Sequence, residues 1–117
     1  MNGAVYLGGL TIDCLLKARL LAKHPHLLSA DRGTLGPADA HRWNLIFRYH
    51  DLEAIVAELP ETVLRLQSIS VGPPRLDTML KSACSRWSIH VRYLAKRVDS
   101  WDAEQFLEQV EELRKWL

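Results

Sequence analysis

Residues 4–23, AVYLGGLTIDCLLKARLLAK, are apolar almost all the way round, through Val5, Leu7, Leu10, Ile12, Leu15, Leu16, Leu20 and Leu21. A helix with so thin a polar stripe belongs in the middle of a bundle, where neighbours cover it on several sides. Asp13 and Lys17 stand at i,i+4 with the acid first, the favourable order on a helix. Gly8-Gly9 inside the segment weakens it by roughly 1 kcal/mol per glycine relative to alanine. Close approach of a neighbouring helix is the usual compensation. Pro25 stops the helix, and Lys23 and His24 suit its C-terminal dipole, with His24 read as a capping residue.

The rest of the chain supplies the neighbours. Turn-formers Ser29, Asp31, Gly33, Gly36 and Pro37 make 29–37 a loop. A short helix over 38–48 carries Trp43, Ile46 and Phe47. Leu52, Ile55, Val56 and Leu59 follow the i, i+3, i+4, i+7 template of an amphipathic helix. Pro60 breaks or kinks that stripe, which continues through Val63, Leu66 and Ile69, and Gly72-Pro73-Pro74 stops it. Residues 75–87 read as helix. Residues 87–99 are ambiguous, because Ile89, Val91 and Tyr93 alternate as in a strand while Tyr93, Lys96 and Arg97 could share a helix. Ser100 is placed to cap a last helix whose apolar face is Ala103, Phe106, Leu107, Val110, Leu113 and Leu117. The expected fold is an all-α antiparallel bundle of four to five helices, one domain over residues 1–117.

Composition agrees: 117 residues, 48% hydrophobic and 25% charged, fit one globular domain and argue against disorder. Two cysteines exclude a disulfide-stapled scaffold. Cys14 and Cys84 sit in apolar helical contexts without metal-ligand spacing to histidine and read as core thiols. No run approaches the ~18 apolar residues of a membrane span, and Met1–Ala4 do not open a signal peptide, so a cytoplasmic setting is expected. Neither a phosphate-cradling glycine loop nor a nucleophile elbow is present, and no cofactor or metal is expected.

Charge is more informative in its distribution than in its total of +1. Residues 75–97 hold Arg75, Lys81, Arg86, Arg92, Lys96 and Arg97 against Asp77 alone, a net +5, whereas residues 98–117 hold six acids against two bases, a net −4. Trp87, His90, Tyr93 and Trp101 lie in or beside the basic segment. Arginines interleaved with stacking aromatics suit single-stranded RNA or nucleotides, which need phosphate neutralisation and base stacking. The alternative is that these cations pair with the acidic last helix while Trp87 and Tyr93 enter the core. Of the five histidines, His24, His26, His41, His50 and His90, two follow an arginine closely, in Arg19-(x4)-His24 and Arg86-(x3)-His90. Such a pair can cleave RNA without metal, the arginine stabilising phosphate charge and the histidine moving a proton. His50, ahead of Asp51-Leu52 at a helix start, reads as a structural hydrogen-bonding residue.

Three segments together resemble the HEPN (higher eukaryotes and prokaryotes nucleotide-binding) helical family. Tyr6-Leu7-Gly8-Gly9-Leu10-Thr11-Ile12-Asp13-Cys14-Leu15-Leu16-Lys17-Ala18 is similar to the family's YLAGxAxECxLKAL helix, with Asp13 at the usual glutamate. His50-Asp51-Leu52 resembles its HDL element. Trp87-Ser88-Ile89-His90-Val91-Arg92-Tyr93 resembles its W…RY, followed by a helix ending in Trp116-Leu117. The resemblance implies an antiparallel bundle, often a homodimer, frequently paired with a minimal nucleotidyltransferase. The family's ribonuclease branch carries Arg-(x4–6)-His near its last long helix; Arg86-(x3)-His90 is one residue short of that. Members usually carry a helix ahead of the YLAG element, where here only five residues precede Tyr6, which implies either a short variant of the family or a second copy that covers part of the first helix or the Trp43–Phe47 segment. The resulting expectation is a non-catalytic nucleotide- or RNA-binding module of a toxin–antitoxin or defence system, with Arg92, Tyr93, Lys96 and Arg97 as binding residues. The alternatives are an active metal-independent endoribonuclease using Arg86 and His90, or Arg92, and a purely structural helical adaptor.

Overall fold

The first helix, α1 (Asn2–Lys23), is the centre of the computed structural model, which describes residues 2–29, 31–69, 75–92 and 100–117. Two 3-10 turns, Pro25–Leu28 and Arg32–Thr34, lead to α2 (Pro37–Phe47), α3 (Leu52–Ala57), α4 (Pro60–Ile69), α5 (Leu76–Arg92) and α6 (Ser100–Arg114). The described residues are all helix and turn, with six α-helices rather than four or five. Pro60 makes the difference. It lacks an N–H and its ring collides with the carbonyl one turn back, so the 52–69 stripe divides into α3 and α4, joined where the Leu59 amide donates to Val56 O at 3.0 Å.

Val5, Ile12, Leu16 and Leu20 of α1 are buried, and the helix packs against α2, α3, α5 and α6. Those partners contribute Leu45 and Ile46, Leu52 and Ile55, Leu80, Ala83 and Trp87, and Ala103, Phe106, Val110 and Leu113. Asp51 caps α3 through a 3.1 Å bond from the Ala54 amide, which satisfies one otherwise orphaned donor. Proline opens α2 and α4 at positions where the missing N–H costs nothing.

Several expectations change. The alternation at 89–93 does not produce a strand up to Arg92, because α5 runs through it; residues 93–99 lie outside the described residues. Ser100 is the first residue of α6 and not a cap outside it. Cys14 is exposed and is not a core thiol, whereas Cys84 is buried. His24 makes no side-chain capping bond; its backbone amide closes α1 by donating to Leu20 O and Leu21 O.

Candidate functional site

The segments singled out in the sequence meet one another around α1. Gly9 lies directly under the Trp87 indole: a Cβ there would stand 1.8 Å from Nε1 and 2.0 Å from Cδ1. This is the close approach that offsets the helix cost of the glycine. Trp87 is 1% exposed, its ring centroid lies 6.2 Å from that of Tyr6, and its buried Nε1 has no described partner.

One turn further along α1, Asp13 is 1% exposed and forms a three-residue polar cluster. Its Oδ2 accepts from Lys17 Nζ at 2.8 Å and from His50 Nδ1 at 2.9 Å, and Lys17 Nζ lies 3.2 Å from the same ring nitrogen. An ionised carboxylate accepts only, so the bond to Asp13 needs a proton on His50 Nδ1, and the Lys17 approach to that nitrogen is then a contact between two donors. The carboxylate is thereby compensated by two donors, as a buried charge requires, while Oδ1 stays buried without a described partner. At the end of α1, Arg19 Nε donates to the Leu117 carbonyl at 2.9 Å and Arg65 donates to the Trp116 carbonyl. Burial, and then the charge of Arg65, hold the Arg19 guanidinium below its ordinary value. These motif residues thus hold α1 to α3, α5 and the end of the chain. They form the frame of the bundle.

The basic segment lies mainly on α5. Arg75 pairs with Asp77 at 3.4 Å. Burial pushes the Asp77 carboxyl up, but the bond from Gln67 and the charge of Arg75 outweigh it and hold the group below the usual carboxylate range. Lys81 is exposed, and Arg86 is half-buried with Nη1 shielded from solvent and without a described partner. Positions 86 and 90 fall one turn apart on the unbroken helix α5. The side chains of His90 and Arg92 lie outside the described residues, as do Tyr93, Lys96 and Arg97 entirely. On α6, Glu111 pairs with Arg114 at 2.6 Å and Glu112 with Lys115 at 3.3 Å. Among the described residues, no ion pair joins the cations of α5 to the carboxylates of α6.

Two open grooves flank α5. One of about 400 Å³, almost wholly apolar, is lined by Glu53, Val56, Ala57, Lys81 and Cys84. The other, about 340 Å³, is lined by Thr78, Met79, Ser82, Gln105, Glu108 and Gln109. Burial, then the charges of Glu53 and Asp51, push the Cys84 thiol up to about 12, so it is no nucleophile near neutral pH. Among the described residues, no three histidine, cysteine or acidic side chains converge as a metal site, and no helix is long and apolar enough to cross a membrane. Asp13–Lys17 and a bonding role for His50 are each legible in the sequence, but their union is not, since nothing local links residues 37 apart. Comparison with protein-family models, curated proteins and solved structures returns no match.

Proposed function

We propose that the chain is a HEPN-like nucleotide- or RNA-binding module that receives phosphate on the cations of α5 and the residues after it. One observation carries this reading: Glu111 and Glu112 are engaged with the neighbouring bases Arg114 and Lys115, while half-buried Arg86 makes no described ion pair with an acid of α6 and has one shielded guanidinium nitrogen without a described acceptor. Arg86 is half-buried, so its accessible donors, and not the shielded Nη1, are the ones that can meet a phosphate oxygen, to which charge-assisted bonds are strong and geometrically specific. Supporting it, the quoted motif segments lie in mutual contact, Gly9 with Trp87 and Asp13 with His50, as one inherited frame requires. Arg92, Tyr93, Lys96 and Arg97 complete the proposed surface. Self-association, a minimal nucleotidyltransferase as partner and a toxin–antitoxin or defence setting rest on the resemblance.

The reading is tested with a labelled single-stranded RNA oligonucleotide at low salt, in EDTA. Wild type should bind and leave the RNA intact, and Arg92→Ala/Arg97→Ala should bind more weakly while keeping its fold. Cleavage lost in His90→Ala would instead establish the ribonuclease alternative, which the one-turn spacing of positions 86 and 90 accommodates. Absence of binding by wild type leaves the structural adaptor.

A further inference from the structure

At the corner where α1 ends, charged side chains from several elements crowd around one imidazole. His24 is fixed by its backbone: its amide donates to Leu20 O at 3.0 Å and to Leu21 O at 3.2 Å, and its carbonyl accepts from the Leu27 amide at 3.1 Å. The ring is half-buried, and its buried Nε2 has no described partner. It meets His26 edge-on, with centroids 6.0 Å apart at 86°. The groups that act on it are Lys23 of α1, His26 of the first 3-10 turn, Asp39 and Arg42 of α2, and Glu61 of α4.

The carboxylates of this set are already occupied. Asp39 Oδ2 is bonded by His26 Nε2 at 2.9 Å and its Oδ1 by Arg42 Nη1 at 3.0 Å. Arg42 Nε also donates to Glu58 Oε2 at 3.2 Å. Lys23 Nζ donates to the Glu58 carbonyl at 3.0 Å and to Glu61 Oε2 at 3.1 Å. The network fastens the end of α1 and its 3-10 turn to α2 and α4, with His24 as the one imidazole that makes no described bond through its buried nitrogen.

We propose that His24 is the acid-sensing element of this catch: the neutral ring lets the corner close, and protonation opens it. A proton on Nε2 creates a charged donor without an acceptor in a shielded position, which is costly. It also places positive charge beside Lys23 and Arg42. Burial first, then Arg42 and Lys23, hold the His24 imidazole below its ordinary value. Asp39 remains charged through the same range, because the bond from His26, and then that from Arg42, keep its carboxyl low. Acidification therefore leaves the His26–Asp39 tie in place and acts against it through His24. With the folded-state value below the unfolded one, this contribution to stability is full above about pH 6.5 and is lost as the pH falls through the folded-state value.

The test is a histidine NMR titration of the full chain, combined with amide exchange at Leu27, corrected for intrinsic rates, and Leu59 as reference. His24 should titrate below the ordinary imidazole value. Leu27 protection should fall on acidification by up to about tenfold for each pH unit between the ordinary imidazole value of about 6.5 and the folded-state midpoint, and level off below that midpoint, with Leu59 unchanged. His24→Gln should flatten the Leu27 profile, and Arg42→Gln should move the His24 midpoint upward. The proposal is overturned if His24 titrates at or above the ordinary value, or if wild type and His24→Gln lose Leu27 protection in parallel. Should His24→Gln fail to fold, the wild-type midpoint and its response to Arg42→Gln decide the matter.

Discussion

Gly9→Ala places a methyl group where the Trp87 indole now lies, 1.8, 2.0 and 2.1 Å from Nε1, Cδ1 and Cε2. Ordinary contact between such atoms is about 3.5–4.0 Å, so the ring or the helix must retreat by about 2 Å. Trp87 is 1% exposed, so any retreat disturbs the packing of the core around it. Overpacking costs about 1–3 kcal/mol, and loss of the ring's packing would cost about 3–5 kcal/mol. Against this, alanine favours the helix by about 1 kcal/mol. The net expectation is a destabilisation of about 2–4 kcal/mol. Gly8→Ala is the control: its Cβ would meet side-chain atoms of Leu107, Phe106 and Val110 at 3.1, 3.3 and 3.5 Å. Those side chains can yield, so Gly8→Ala should be neutral or stabilising by up to about 1 kcal/mol. Urea unfolding followed by circular dichroism reads both. In a Trp87→Ala background Gly9→Ala should cost little, a non-additivity that reports the direct contact. A Gly9→Ala midpoint at or above wild type would refute the packing argument.

Two further outcomes follow from the described contacts. Asp13→Asn removes the charge that Lys17 and His50 bond and should lower stability by about 2 kcal/mol, less than a wholly buried pair because both partners reach water; an unchanged urea midpoint would contradict the buried-cluster reading. At pH 8, iodoacetamide should label Cys14 and spare Cys84, whose thiol is pushed up to about 12, until urea unfolds the chain; equal labelling of both in the native protein, read by mass spectrometry, would contradict it. The same raised thiol makes stability fall as pH climbs above the ordinary thiol value, since the unfolded chain ionises first.

Much of the frame was legible because it depends on local chemistry. Apolar residues over 4–23 dictated a central helix, Pro60 dictated a break, and Gly8-Gly9 demanded close neighbours, which Trp87 and Phe106 supply. What was not legible depends on which side a neighbour occupies. An almost uniformly apolar helix does not say which face stays open, so Cys14 was assigned inward although it and Leu7 face water. Alternation at 89–93 suggested a strand, but extending α5 past Trp87 adds a hydrogen bond per residue to an existing helix and needs no new nucleus. His24 follows a helix terminus, yet its backbone does the closing while its ring turns toward His26. The Asp13–His50 bond joins distant positions, and no periodicity encodes such a pairing.

The salt dependence of RNA binding tests the proposed phosphate surface most directly. Each neutralised phosphate releases counterions, with a slope of about −0.7 per contact for single strands. Four contacts, through Arg86, Arg92, Lys96 and Arg97, give a slope of log K against log salt of about −2.8, and Arg92→Ala/Arg97→Ala should reduce it to about −1.4. A wild-type slope near zero, or one that the double substitution leaves unchanged, would contradict phosphate binding on α5 and the segment that follows it.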